Sequence, residues 1–383
     1  MDEVAGVVRA LLGATARPTP DFGLTITAAD GTLVTLNLHN LYAEVQGVDA
    51  EERETRIRTM VMSTVPGPRP TTWDNAAPRL LPAVRAVSWG AATGEVELVR
   101  EPLAPFVTVL CAIDAQHGMT YATHDDLRAW GVSERNARAR AEANLSALPL
   151  EVERRGPTAT IHGPDGYASS WLAAPAALDP LVADLGGRVV AVAPDRDQLV
   201  LVDTWDAAAT VQVLQEAMQR YRSVPRQLSP VAYLLDGHRI RPWTPPPEHP
   251  AAPVLANAAR ILAGVEYSHQ RVALDELFAR TRTDVYVSRC TVMARDDGSM
   301  WTYSLWVEEV TDGLIPQADV VLLTGAKGAG EPIAVAWDHA LRIAPNSLER
   351  TGYDPPLWRH HGWPDPRTTT ALRQVALPFP LDG

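Results

Sequence analysis

Residues 189–203, VVAVAPDRDQLVLVD, are the stretch that decides the fold of this chain. Two apolar runs rich in valine and leucine enclose the short turn 194–197, which is typical of two neighbouring antiparallel strands. The predicted segments around it follow one order along the chain: strands 150–153 and 158–162, helix 169–185, strands 189–193 and 198–203, and helix 207–221. This order repeats a ββα unit.

The repeated ββα unit predicts the fold class. We expect an α+β fold with mainly antiparallel sheets and with helices on one face. A doubly wound sheet is disfavoured, because strands and helices do not alternate strictly. Further hairpins are predicted around Asp30-Gly31 and Asp236-Gly237, where glycine allows the positive φ that a tight turn needs.

Helix boundaries in the first half are marked by capping residues. Helix 3–12 is followed by Gly13, and a second helix begins after Asp49, three residues before Glu52. Residues 71–87 contain prolines and predict an irregular segment. The apolar run 106–113 after it predicts a strand.

Two short helices follow this strand with helix-turn-helix spacing. Thr123 and Asp126 predict a capping box, and Ser133 predicts the cap of the second helix. A DNA-binding motif is one interpretation of the pair. We favour a packing unit, because the acidic residues at the tip of the first helix repel phosphate.

The length of 383 residues predicts about two domains. The proline-rich segment 242–253, PWTPPPEHPAAP, predicts an extended linker. We therefore divide the chain into an α+β region at 1–241 and a smaller α+β domain at 254–383. In the second domain we expect a helix to about residue 280, and then the strands 285–294, 299–307, 318–323 and 332–337.

The charge balance restricts the partners. The 46 acidic and 34 basic residues give a formal net charge of -12, which repels phosphate backbones and anionic lipid surfaces, so we expect neither a nucleic-acid nor a membrane partner. The N-terminus carries acids rather than the basic residues of a secretory signal. Cys111 and Cys290 predict free thiols. We expect a cytoplasmic protein.

The turn 194–197 allows two interpretations. As a plain turn, its aspartates accept backbone hydrogen bonds and Arg196 pairs with a neighbouring carboxylate. As a ligand-binding site, Arg196 offers a planar fork to a carboxylate or phosphate, aimed by Asp195 and Asp197. The sequence favours the structural interpretation and leaves the second open.

Tryptophans are abundant in the C-terminal part, where they serve either a core or an interface with a partner. Trp301 and Trp306 differ by an odd number, so they lie on opposite faces of an unbroken strand. An exposed member of the pair would offer a surface to a partner, so we name both as candidate partner-binding residues, although the core interpretation is favoured.

Patterns that carry chemistry are incomplete in this chain. The loop 325–330, GAKGAG, lacks the Gly-Lys-Ser/Thr ending of a phosphate-binding loop. Neither the HExxH pattern of a zinc site nor the GxSxG elbow of a serine nucleophile occurs, and Ser169-Ser170 fits a helix cap better. We predict no catalytic residue, no metal site and no cofactor.

Several fragments between residues 21 and about 245 resemble the YtpQ-like family of uncharacterised bacterial proteins, a domain of unknown function. The fragments occur in the order NLHNLYAEV (37–45), LLPAVR (80–85), TYATHDDLRAWGVS (120–133), ARAEANL (139–145), GYASSWLA (166–173) and AVAPDRDQLVLVD (191–203). The family often has Asn at the position of Asp195. The resemblance implies no activity, cofactor or catalytic residue.

Two hypotheses about function follow. The first is a non-catalytic module that binds a protein partner or forms a homo-oligomer, because catalytic groupings are missing. The alternative is a small-ligand-binding protein, or an enzyme, that uses the turn 194–197. An exposed tryptophan patch favours the first hypothesis, and converging polar groups at the turn favour the second.

Overall fold

A computed structural model describes residues 1–20, 22–27, 33–63, 69–89, 97–115, 118–162, 166–325 and 331–378. The α-helices are α1 Asp2–Leu12, α2 His39–Glu44, α3 Ala50–Ser63, α4 Trp73–Ala76, α5 His124–Trp130, α6 Glu134–Ser146, α7 Asp179–Asp184, α8 Ala207–Ser223, α9 Ala251–Thr281, α10 Trp337–Ile343 and α11 Pro366–Gln374. The chain has an α+β fold with mostly antiparallel sheets, as predicted.

The strands of the first half are β1 Thr15–Thr19, β2 Gly23–Thr27, β3 Leu33–Asn37, β4 Leu80–Ala86, β5 Arg100–Ala104, β6 Val107–Ala115, β7 Gly118–Tyr121, β8 Glu151–Arg155, β9 Thr158–His162, β10 Val189–Asp195, β11 Leu199–Asp203, β12 Gln227–Asp236 and β13 Arg239–Pro242. Those of the second half are β14 Tyr286–Val287, β15 Thr291–Ala294, β16 Met300–Val307, β17 Gly313–Pro316, β18 Val320–Thr324, β19 Ile333–Ala336, β20 Glu349–Arg350 and β21 Leu357–His360.

The first 63 residues build a small unit around their own apolar cluster. The strands β1, β2 and β3 form an antiparallel sheet, and α1 and α3 share its core through Val8, Leu24 and Val61. The predicted hairpin of β2 and β3 is confirmed, although its turn at Asp30-Gly31 lies outside the described residues. Asp49 caps α3 as predicted, since its Oδ1 accepts from the Glu52 amide at 2.9 Å.

The six-stranded sheet β13-β12-β10-β11-β9-β8 is antiparallel throughout and contains the stretch 189–203. Every residue of β10 is buried. The helices α8 and α9 pack on one face of this sheet, and apolar residues of β4 and β6 belong to the same core. The predicted antiparallel pair at 189–203 and the helices on one face are therefore confirmed.

The segment 71–87, predicted to be irregular, contains the strand β4, so that prediction is wrong. β4 lies at the edge of the antiparallel sheet β4-β6-β5, with β7 paired to β6. The amide of Val84 points away from β6, because it donates to Ser170 Oγ at 3.4 Å. Pro82 lies two residues before Val84, so its nitrogen also faces away from β6. The N–H that proline lacks is therefore not needed for the pairing of β4 with β6.

The predicted helix 169–185 is also wrong. The chain forms two 3₁₀ segments, Ala168–Ala173 and Pro175–Leu178, before the short helix α7. Pro175 and Pro180 cannot donate backbone hydrogen bonds, so a single helix cannot continue through them. The predicted cap at Ser169-Ser170 is wrong too, because Tyr167 occupies the N-cap position and makes no side-chain cap bond.

The helix pair α5 and α6 forms with the predicted caps. Thr123 Oγ1 accepts from the Asp126 amide at 3.1 Å, and Asp126 Oδ2 accepts in return from the Thr123 amide at 2.8 Å. Ser133 caps α6. Apolar residues of both helices share a cluster with residues of β4 and β6, which is how a packing unit buries its inner side.

The long helix α9 begins at Ala251, so residues 251–253 are helical rather than extended as predicted. Pro253 fits the first turn, where an N–H has no helical partner. The first half of α9 contributes Leu255 and Leu262 to the large core, and its second half packs Leu274 near β14, β17 and β21. The division into 1–241 and 254–383 stays a prediction.

The C-terminal part contains two small mixed sheets, β14-β17-β21-β20 and β15-β16-β18-β19. The predicted hairpin of β15 and β16 forms, and β18 pairs with β16 in parallel and with β19 in antiparallel orientation. None of the described helices combines the length and the apolar composition that a membrane crossing requires.

We expect a matched pair of glycine substitutions to shift stability in opposite directions. Gly313→Ala places a Cβ against the ring of buried His360, and such overpacking lowers the free energy of unfolding by about 2 kcal/mol. Gly6→Ala in α1 meets nothing within 4 Å and raises that free energy by about 0.5 kcal/mol. Urea unfolding measures both, and a neutral Gly313→Ala would contradict this packing.

Candidate functional site

Asp195 ends β10 and acts as a structural residue of the turn 194–197. Its Oδ1 accepts from the Asp197 amide at 2.8 Å. Its Oδ2 accepts from Nε of Arg220, which lies on α8. The Asp195 side chain is buried, and Asp197 is exposed. The carboxylate of Asp195 is therefore neutralised by Arg220 rather than by Arg196.

Arg196 is held in place through its backbone, whose carbonyl accepts from the Ser169 amide at 3.1 Å. Its side chain is largely buried, and among the described residues its Nε has no hydrogen-bond partner. The predicted pairing of Arg196 with a neighbouring carboxylate is wrong for this part of the chain, where its guanidinium forms no ion pair within 4 Å.

The electrostatic environment of Arg196 is positive. Burial, the largest cause, and the charges of Arg85 and Arg226 together lower the pKa of Arg196 to about 10, against smaller opposing effects of Tyr121 and Asp197. Arg226 itself pairs with Glu44, with 2.9 Å between Nε and Oε1. Arg85 differs from Arg226 in that its hydrogen bonds within the described part of the chain go to neutral groups.

Arg85 lies on β4 and is 2% exposed. Its Nε donates to the Tyr121 hydroxyl at 3.1 Å, and its terminal nitrogens donate to the Val84 carbonyl at 2.7 Å and to Met119 Sδ at 3.3 Å. Its guanidinium carbon lies 5.8 Å from the centroid of the Tyr121 ring. These neutral partners satisfy the donors of Arg85 but leave its charge in place.

Two further polar groups border the arginines. The Tyr167 hydroxyl donates to Asp114 Oδ1 at 3.2 Å, and burial together with Asp114 raises the pKa of Tyr167. Ser169, whose amide binds the Arg196 carbonyl, has a buried Oγ with no partner among the described residues. We call Arg85, Tyr121, Tyr167, Ser169 and Arg196 the arginine site.

The arginine site contains guanidinium and hydroxyl groups, which are hydrogen-bond donors. Guanidinium groups bind carboxylate and phosphate through paired, charge-assisted hydrogen bonds. A buried cation without a counter-ion costs stability, and an anion that supplies the missing acceptors removes this cost. Since burial and Asp114 keep Tyr167 protonated, it acts as a hydrogen-bond donor and not as a base.

A groove of about 790 Å³ lies on the α8 side of the six-stranded sheet, between α8 and the strands β9 and β11. Its charged side chains are already compensated. Arg155 pairs with Glu153 at 2.5 Å, and Arg220 pairs with Asp195. The two arginines that line the groove are therefore already paired with carboxylates.

The predicted partner residues Trp301 and Trp306 lie on opposite faces of β16, as their spacing indicates, but both are buried. Trp301 packs with Val320 and Leu322, and Trp306 belongs to the cluster around α10 and β18. The burial of both residues agrees with the favoured core interpretation. A partner-binding role for the pair stays a prediction.

Other candidate chemistry is weak. Burial raises the pKa of Cys111 to about 11 and that of Cys290 to about 12, so both thiols are poor nucleophiles at neutral pH. In the described part of the chain no three metal-ligating side chains group together. Of the loop 325–330, residues 326–330 lie outside the described residues.

Sequence analysis missed Arg85, Tyr121 and Tyr167 as site residues. Each stands in one of the fragments quoted for the family resemblance, and Arg85 interrupts an otherwise apolar strand, which is an unusual place for an arginine. These positions could have been named from their fragments. Their meeting with Arg196 could not, because Arg85 and Tyr121 lie in a different sheet and Tyr167 lies before a 3₁₀ segment distant from Arg196 in sequence.

Comparisons with known proteins add no relative. No family model matches the chain, and neither a curated protein nor a solved structure matches it. The resemblance to the YtpQ-like family stays a prediction.

We expect the two arginines of the turn region to differ in their effect on stability. Arg220→Ala leaves the buried Asp195 carboxylate without its cation and lowers the free energy of unfolding by about 3 kcal/mol. Arg196→Met removes an uncompensated charge and leaves that energy unchanged or raised by about 1 kcal/mol. Denaturant unfolding in phosphate-free buffer compares them, and a larger loss for Arg196→Met would contradict the assigned pairing.

Proposed function

We propose that the protein binds a small anionic ligand, through a carboxylate or phosphate group, at the arginine site. The observation that carries the proposal is the buried Nε of Arg196, which has no hydrogen-bond partner among the described residues. The positive charge of Arg85 lowers the pKa of the same side chain. This is the ligand-binding hypothesis for the turn 194–197, extended by Arg85. Asp195 takes no direct part, because Arg220 occupies it.

The neighbouring groups support the same proposal. The Tyr121 hydroxyl accepts from Arg85, so its own hydrogen is available to a ligand. The Ser169 hydroxyl is a further donor at the same place. These groups are donors, which favours an anion over a cation or an apolar ligand. Binding rather than catalysis is proposed, since the raised pKa of Tyr167 keeps it protonated at neutral pH and therefore unavailable as a base.

The first hypothesis, binding of a protein partner or a second copy, has one observation in its favour. Trp205 is 70% exposed, and the guanidinium carbon of Arg188 lies 4.6 Å from the centroid of its ring. Tryptophan and arginine are the residues most enriched at interface hot spots. As a second proposal, this pair contributes to self-association, and sedimentation equilibrium of Trp205→Ala tests it: a lowered mass supports it, and an unchanged monomer removes it.

Calorimetric titration with inorganic phosphate and with acetate tests the anion proposal. We expect Arg196→Ala to weaken binding at least about tenfold, because a hydrogen bond to a charged group contributes roughly 1.5–3 kcal/mol. Arg196→Lys keeps the positive charge but loses the planar, two-pronged guanidinium. Its affinity should therefore fall between those of the wild type and Arg196→Ala. Arg239→Ala, at an exposed arginine of β13, is the matched control and keeps wild-type affinity.

Two results would contradict the anion proposal. One is a wild-type protein that binds neither phosphate nor acetate. The other is an Arg196→Ala variant that retains the affinity of the wild type while Arg239→Ala does the same, since the anion would then be bound elsewhere.

A further inference from the structure

The segment after β4 contains an exposed aromatic residue, Trp89, that packs against Tyr121 of the arginine site. Trp89 is 36% exposed, and its ring centroid lies 4.5 Å from that of Tyr121, with the planes tilted by 52°. Tyr121 in turn accepts the hydrogen bond from Arg85. The exposed indole of Trp89 is therefore connected, across the Tyr121 ring, to the buried guanidinium of Arg85.

An exposed ring beside buried guanidinium groups matches a ligand that has an aromatic part and an anionic part. An indole with one side against a tyrosine and part of its surface in water can still stack on a second ring. Binding sites commonly combine an aromatic wall with a few placed polar groups that orient the ligand. A purely inorganic anion would use the arginines and leave Trp89 without a role.

The backbone around Trp89 is fixed by a buried carboxylate of α9. The Ser88 amide donates to Glu266 Oε2 at 3.0 Å, and the Ser88 hydroxyl lies 3.3 Å from His269 Nδ1. Glu266 is only 2% exposed. On the other side of Ser88, the Val87 amide donates to the Phe106 carbonyl at 2.9 Å. Glu266 thus anchors the residue next to Trp89 from outside the arginine site.

We propose that the ligand of the arginine site is an aromatic anion, whose ring stacks on Trp89 while its carboxylate or phosphate binds Arg196, and that Glu266 is a positioning residue for Trp89. The inference rests on the proposed anion binding. It narrows the ligand class to molecules that join a planar ring to an acidic group.

The test compares ring-bearing probes with ring-free probes that carry the same charge. Calorimetric titrations use benzoate against acetate, and phenyl phosphate against methyl phosphate. The wild type should prefer the aromatic member of each pair by about five- to tenfold. The pair with the higher affinity shows whether a carboxylate or a phosphate is the better group.

Variants of Trp89 decide the stacking part. Trp89→Ala should abolish the preference and leave the affinity for acetate and methyl phosphate unchanged, because the arginines remain. Trp89→Phe keeps a ring and should keep most of the preference. Tyr353→Ala, at an exposed tyrosine of the C-terminal part, is the matched control and keeps all of it.

Variants of Glu266 decide the positioning part. Glu266→Gln retains an oxygen that accepts from the Ser88 amide, so it should keep the preference. Glu266→Asp shortens the reach to Ser88 and should reduce the preference while the affinity for methyl phosphate stays constant. A variant that folds poorly would lose affinity for phenyl phosphate and methyl phosphate alike. The ratio of the two affinities therefore separates a positioning effect from a loss of folding.

The outcomes distinguish the two proposals. If the wild type binds no probe, the anion site itself is refuted. If it binds aromatic and aliphatic members equally, or if Trp89→Ala keeps the preference, the anion site stands and the stacking inference is overturned. If Glu266→Asp keeps the full preference, Glu266 is not a positioning residue.

Discussion

The complete burial of β10 is the constraint on which the rest of the structure depends. Helices must cover one face of this strand and a second layer the other, so charged groups can be placed only at its ends, where a counter-ion can reach them. At the end that turns into β11, Asp195 takes Arg220 as its counter-ion. Arg196, the next residue, is left at the junction with the sheet that carries Arg85.

As a consequence, the adjacent residues Asp195 and Arg196 differ in their electrostatic state. Asp195 is neutralised and stabilises the turn, while Arg196 stays partly buried next to another cation. Such an arrangement is costly for folding and useful for binding, because an anion gains most where donors are already oriented and desolvated. Residues from separate fragments of the sequence, around Arg85, Tyr121 and Tyr167, come together only here.

Local signals made much of the fold predictable. The hairpin at 189–203 and the caps at Asp49 and Thr123 depend on neighbours in sequence, and they form as expected. The strand β4 was missed because the acceptability of Pro82 depends on an edge position that only the assembled sheet defines. Alternation placed Trp301 and Trp306 on opposite faces, but it cannot reveal that both faces are covered. Only part of the site was predicted. Arg196 was named from its turn, but Arg85, which is distant in sequence, was not.

The central claim is that Arg196, and not Arg220, offers an unused hydrogen-bond donor to an anion. The most direct measurement is the side-chain Nε–H resonance of each arginine in ¹⁵N-labelled protein during a phosphate titration. The account predicts that the Arg196 resonance shifts until the site is saturated, while that of Arg220, already bound to Asp195, stays in place. An Arg196 resonance that does not move at saturating phosphate would contradict the account.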